Sequence, residues 1–218
     1  MNGQDTQTVA LVIAGPTASG KSELALAAAQ AVSGTVINAD SMQVYRELRV
    51  LTARPAPADE ARIPHRLYGA MPAAAPCSAG GWLRLARSEI VAARGAGRVP
   101  IVVGGSGLYL KALLEGLAPI PEIPPEIRAE ARDLFERLGA AGFRSELEKL
   151  DPESAARLAP GDRQRLQRCY EVVRATGVPV GAWQRQQRRE PGSEPAWAVL
   201  VLMPPRKALY GSIDARFD

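Results

Sequence analysis

Residues 9–22 run from the apolar stretch Val9-Ala-Leu-Val-Ile-Ala14 into Gly15-Pro16-Thr17-Ala18-Ser19-Gly20-Lys21-Ser22, and an Ala/Leu-rich segment follows to Val32. This order leaves little choice of local fold. A buried strand ends, and a glycine-containing loop turns its backbone N–H groups towards an anion. A helix then starts with the positive end of its dipole facing the same point. The pattern predicts that Gly15–Ser22 cradles a di- or triphosphate, with Lys21 as the cation and the Ser22 hydroxyl as a ligand for Mg²⁺. Many ATP-binding and other nucleotide-binding proteins share such a cradle. It does not distinguish a phosphate that is transferred from one that is hydrolysed or departs as a leaving group.

Further apolar, β-branched runs at Thr35–Ala39, Val99–Val103 and Trp197–Met203 join Val9–Ala14 as expected buried parallel strands. Helical patterns at Ser22–Val32, Trp82–Ala93 and Leu108–Leu117 alternate with them, as in an α/β sheet with crossover helices. Residues 53–78, rich in Ala and Pro, read as mostly loop. From Pro119 the rhythm changes: a Pro-rich entry precedes helical patterns at Pro125–Gly139, Phe143–Leu150, Pro152–Leu158 and Asp162–Thr176, and Glu190–Pro195 reads as a loop back to the core. The expected architecture is therefore α/β: a P-loop NTPase-like parallel sheet core (1–118 and 195–218) with an inserted all-helical subdomain (119–194). Pro204–Asp218 begins a helical pattern with no terminating signal.

At 218 residues, 46% of them apolar, the chain is long enough for one substantial core and a small appendage. No apolar run is long enough to span a membrane, and Met1–Thr8 lacks the features of a signal peptide, so a cytoplasmic protein is expected. Cys77 and Cys169 stand apart without a disulfide or zinc pattern. The formal charge of +4 is unevenly spread. Acids outnumber bases from Glu122 to Glu153, whereas arginines dominate from Arg157 to Arg189. A basic stretch in a chain with a phosphate loop is a candidate surface for a large polyanion, although a solvated helix face would look the same.

Asp40 ends the second strand, and in open α/β sheets ligands gather at the carboxyl ends of strands. A carboxylate there can accept a proton from a nucleophile, and Ser41 and Gln43 add hydrogen-bonding groups; a helix N-cap is the plainer reading. The third long strand ends in Gly104-Gly105-Ser106-Gly107, where an ordinary NTPase would carry an acid for Mg²⁺. On a helical wheel Leu166, Cys169, Tyr170 and Val173 form a buried face, and Gln164, Arg168 and Glu171 lie opposite with Arg165 on the flank. The only histidine, His65, is expected to pack and hydrogen-bond in the core.

These segments together resemble the tRNA dimethylallyltransferases, which prenylate an adenosine beside the anticodon. The resemblance rests on GPTASGKS (15–22), NADSMQVY (38–45), TARP (52–55), PHRLYG (64–69), GGSGLYLKALLEGL (104–117) and DRQRLQRCYEV (162–172), spread in order over most of the chain. It implies that dimethylallyl diphosphate lies in the Gly15–Ser22 loop with Mg²⁺ near Ser22. The exocyclic N6 of a flipped-out adenosine attacks C1 of the allyl group, and pyrophosphate leaves. Asp40, Lys21 and Arg216 match the catalytic positions, Asp40 taking the amine proton; Thr17, Lys21 and Arg216 match diphosphate contacts. Asp40, Ser41, Met42, Gln43, Ser106, Arg128, Gln164, Arg165, Leu166, Gln167 and Arg168 match positions that touch tRNA. The expected partners are thus tRNA and dimethylallyl diphosphate, with no membrane and a monomeric chain. Two departures are Leu51, where the family usually has glycine, and Arg54, where lysine is common. Family members also continue past Phe217 with further helices.

Two enzymatic alternatives remain at this stage: an isopentenyltransferase acting on free adenine nucleotide, and a P-loop kinase of small molecules. A third alternative is a tRNA-binding chain without catalysis. The basic helical insertion speaks against the first, and the glycine-rich strand end against the second.

Overall fold

A computed structural model describes residues 9–186 and 195–217; for Arg216 and Phe217 it describes the backbone alone. Five parallel strands form one sheet: β1 (Val9–Ala14), β2 (Gly34–Asn38), β3 (His65–Arg66), β4 (Val99–Gly104) and β5 (Ala196–Val201), in the order β3-β2-β4-β1-β5. Helices α1 (Lys21–Ala31), α2 (Pro57–Arg62), α3 (Ala79–Gly95), α4 (Gly107–Glu115) and α9 (Arg206–Phe217) belong to the same unit, and the remaining helices lie between α4 and β5 in the chain. The chain divides into two compact units, 1–115 with 190–218, and 116–189.

In the first unit the strands that read as continuous apolar runs are the buried ones. Val12, Ile13, Ile37, Ile101 and Val102 are fully sequestered, and Ala25 and Ala29 bring α1 close against the face that carries Ile13 and Ile101. Small side chains on α1 permit that approach, because the packing distance between helix and sheet shrinks with side-chain size. Trp82 of α3 is also fully buried; its indole N–H donates to the Asn38 carbonyl at 2.8 Å and its ring stacks on Tyr109 of α4 at 4.6 Å.

Residues 53–78 are mostly loop, as expected, with only the short α2 and β3 inside them, and His65 stands on β3, paired with Val36. One expectation needs correction. The fourth expected strand is present as β5, but it is not buried. It forms the sheet edge, and Val199, Leu200 and Val201 are 51, 43 and 53% exposed. Strand composition therefore misjudged its position, because an apolar run reads alike at a centre and at an edge. Most of the expected loop at Glu190–Pro195 lies outside the described residues, as do Met1–Thr8.

In the second unit every regular element is a helix among the described residues: α5 (Pro125–Leu150), α6 (Pro152–Arg157), α7 (Arg163–Thr176) and α8 (Val180–Arg185). α5 is interrupted at Gly139, whose φ of 65° and ψ of −179° are open chiefly to glycine, so the two expected helical patterns follow one another without a loop. Phe143, Leu147, Leu166, Tyr170 and Val173 build its core. Asp151 accepts the Ser154 N–H at 3.0 Å to cap α6, and Gly177 closes α7 in the left-handed conformation.

Candidate functional site

The parallel register brings three strand ends to one edge: Ala14 pairs with Gly104, and Asn38 with Val103. From the first of these ends Gly15–Ser22 curls into a loop held by backbone conformations that few residues adopt. Gly20 lies at φ 84°, and Ala18 at φ 61°. A Cβ on Gly15 would come within 2.6 Å of the Leu202 carbonyl oxygen. The Lys21 ammonium folds back and donates to the Pro16 carbonyl at 2.5 Å, with Ser19 Oγ at 3.5 Å.

The second strand end carries Asp40, whose orientation is set by its neighbours. Buried Asn38 accepts the Asp40 N–H at 2.9 Å and donates to the Asp40 carbonyl at 3.0 Å and the Leu67 carbonyl at 3.2 Å. One Asp40 carboxylate oxygen accepts the Met42 N–H at 2.9 Å. At the third end Gly104 passes so close to the Ala39 backbone that a Cβ would overlap it. Ser106 then reaches back, its hydroxyl oxygen accepting the Ser41 N–H at 2.8 Å.

These ends enclose a cavity of about 510 Å³ within the first unit. Thr17, Ala18, Ser19, Gly20, Lys21 and Ser22 line it on one side, and Asp40 and Gln43 on another. Gly15 and Pro16 form the loop behind this lining. Ser41, Met42 and Ser106 do not line it: Ser41 and Ser106 bond to each other and Met42 is exposed. The Gln43 side-chain amide donates to the Thr52 carbonyl at 2.8 Å, which ties the 40–43 segment to the 48–53 turn. The side chain of Arg216, at the end of α9, lies outside the described residues.

Reading by motif missed several cavity residues. Thr52, Tyr68 and Ser212 also line it, and a second cavity of about 90 Å³ shares Ser22, Glu23 and Tyr68 with the first. Burial pushes the Tyr68 phenol well above its ordinary range, and the Asp40 and Glu60 carboxylates push it further. The signal for Tyr68 was the PHRLYG segment, which carries no chemistry until β3 pairs beside β2. His65 is half-buried; its Nδ1–H donates to the Ile63 carbonyl at 2.8 Å and its ring meets Tyr68 edge-on at 5.5 Å.

In the second unit Arg128, Gln164, Arg165 and Arg168 are exposed. Arg165 pairs with Asp162 at 3.3 Å and Arg168 with Glu171 at 3.6 Å, so both guanidiniums are engaged by helix neighbours. Leu166 is fully buried in the core: its side chain packs α7 and does not face solvent. Gln167 is half-buried, and its amide nitrogen has no hydrogen-bond partner.

Among the described residues no cluster of three or more His, Cys, Asp or Glu could hold a metal ion, and no helix is long and apolar enough to cross a membrane. Mg²⁺ commonly keeps much of its water and takes one or two protein oxygens together with phosphate oxygens. The single Ser22 hydroxyl on the cavity wall is compatible with that donor set.

Comparison with known proteins bears on this geometry. The model of the family described as IPP transferase matches residues 43–218, and that described as isopentenyl transferase matches 8–69. The chain is 56% identical over 207 residues to the tRNA dimethylallyltransferase of Rhodospirillum centenum, covering 95% of this chain and 66% of that protein. It is 54% identical to the one of Rhodospirillum rubrum, covering 94% and 63%. The chain thus spans slightly less than two thirds of the length of these relatives. Among solved structures it is similar to a eukaryotic dimethylallyltransferase acting on tRNA, with a TM-score of 0.81 at 27% identity over 96% of this chain and 52% of that one.

Proposed function

From the premise that this chain belongs to the IPP transferase family, we propose that it transfers a dimethylallyl group from dimethylallyl diphosphate to N6 of an adenosine in tRNA, releasing pyrophosphate. One observation carries the reading: Asp40 and the Lys21 loop line the same cavity. The proton acceptor and the anion cradle therefore face one reacting centre.

In this reading the diphosphate sits against the N–H groups of Gly15–Ser22 and the Lys21 ammonium. The adenine amine attacks C1 of the allyl group as the C1–O bond breaks, and the bonding pair leaves with pyrophosphate. The proton lost from the amine passes to Asp40. Fixed N–H dipoles and the lysine stabilise the charge that builds on the leaving group, which is where most of the acceleration in such a displacement arises. Mg²⁺, held by the Ser22 hydroxyl and the diphosphate oxygens, would supply further neutralisation of that charge. Asn38 and Ser106 hold the Asp40–Gln43 segment from either side. The exposed arginines of α7 would meet tRNA phosphates, and the target base must leave its stack to reach a strand-end cavity.

Incubation with dimethylallyl diphosphate, Mg²⁺ and unmodified tRNA, followed by mass analysis of the digested nucleosides, tests the reading. Prenylated adenosine from tRNA supports it. Product formed from free AMP alone would favour the nucleotide-directed alternative, and consumption of ATP alone the kinase.

A further inference from the structure

Tyr68 lies two residues past the end of β3 and lines both the large cavity and the smaller side cavity. Its ring is fixed: it packs against the apolar cluster that contains Ile13, Val36 and Ile63, and His65 meets it edge-on. Its chain direction is fixed too, because the next residue, Gly69, donates its N–H to the Gln43 carbonyl at 2.9 Å. A Cβ on Gly69 would overlap the Arg54 guanidinium, so Arg54 closes this wall from behind. The Tyr68 hydroxyl makes no hydrogen bond with any described residue. Tyr68 is half-buried, and a phenol held this firmly on the wall beside an anion cradle, with no protein partner among the described residues, leaves its hydroxyl for a ligand.

We propose that Tyr68 is a substrate-binding residue whose hydroxyl donates a hydrogen bond to the diphosphate bound in the Gly15–Ser22 loop. The assignment rests on the proposed function only in its choice of anion. Burial and the Asp40 carboxylate both oppose ionisation of the phenol, so it keeps its proton throughout the working range and acts as donor. A neutral donor suits this place. It binds an anion directionally without adding a second cation beside Lys21, and it leaves the Asp40 carboxylate free of a competing positive charge.

The test is titration of the chain with inorganic pyrophosphate, comparing the wild type with Tyr68→Phe, which removes only the hydroxyl. Affinity is expected to fall about tenfold or more, as for loss of one hydrogen bond to a charged group. The thermal midpoint without ligand should be unchanged. Equal affinities overturn the assignment, and so does a wild-type chain that binds no pyrophosphate. In turnover, Tyr68→Phe should raise KM for dimethylallyl diphosphate and leave the acid limb of the pH–rate profile in place. A shifted limb with unchanged pyrophosphate affinity would make Tyr68 a partner of Asp40 and overturn the proposal. A wild-type chain that binds pyrophosphate through Tyr68 but transfers no dimethylallyl group removes the proposed function and leaves this assignment standing.

Discussion

The Ser106 hydroxyl oxygen accepts the Ser41 backbone N–H at 2.8 Å, bridging the loops that leave β4 and β2. This bond, together with the Met42 N–H donated to Asp40, holds the backbone immediately after Asp40. Ser106→Ala leaves a half-buried N–H without an acceptor, at a cost of about 1–2 kcal/mol. If Asp40 is the base of the proposed transfer, kcat should fall about tenfold, because small displacements of a reacting group are costly, with KM for dimethylallyl diphosphate little changed. Steady-state kinetics on Ser106→Ala, with Ser106→Thr as the rescue, checks it.

Asp40→Asn keeps the side-chain shape and the oxygen that accepts the Met42 N–H, but it removes the proposed proton acceptor. Transfer should fall by about 10²–10⁴, the usual contribution of a positioned base. Pyrophosphate affinity should be nearly intact, since the cradle is built by other residues. Retained turnover together with lost affinity would reverse the two roles.

Gly104→Ala places a Cβ against the Ala39 backbone, where neither strand can yield without breaking the β2–β4 pairing. Destabilisation of about 3 kcal/mol is expected, as for overpacking in a rigid core. Denaturant unfolding of the variant measures it directly.

Glu130 accepts hydrogen bonds from the Tyr170 hydroxyl at 2.8 Å and from Arg174 at 3.1 Å, and these hold its carboxyl below the ordinary range. A carboxylate whose folded-state pKa is lowered contributes stability above its unfolded pKa and loses it as pH falls through the folded value. The midpoint advantage of wild type over Glu130→Gln should therefore be present at neutral pH and vanish as acid takes the glutamate below its usual range. Thermal melts from pH 7 down to about 3 follow the two curves as they converge. A constant gap would mean that the pair acts through packing alone.

Arg165 and Arg168 are held by Asp162 and Glu171, yet both remain exposed. If they bind phosphates, Arg165→Ala with Arg168→Ala weakens tRNA binding and lowers the slope of log K against log salt by about 2, one for each phosphate contact. Filter binding across a salt series reads the slope; an unchanged value would assign the two residues to helix stability.

The residues differ in how plainly the sequence announces them. β1, β2 and β4 are legible because a strand buried on both faces must be apolar throughout. β3 is not: two residues carry no period, and only pairing with Val36 and Ile37 makes His65 and Arg66 a strand. The apolar run at β5 announces a strand but not its neighbours, so its exposure at the edge could not be read. Asp40 is legible from its place at a strand end. Tyr68 is not, since no spacing rule links position 68 to a loop at 15–22. Leu166 shows the opposite hazard: a motif carries the whole helix segment along, although helical geometry turns one of its members inward.

The lysine contact inside the loop has a consequence for turnover. Because Lys21 already rests on the Pro16 carbonyl, an arriving anion exchanges one partner of the ammonium for another rather than meeting a naked charge. The net gain is the difference between two good contacts, which keeps affinity moderate. Under the proposed function, the same carbonyl would be on hand to reclaim the lysine once pyrophosphate, more negatively charged than the allylic diphosphate, has formed.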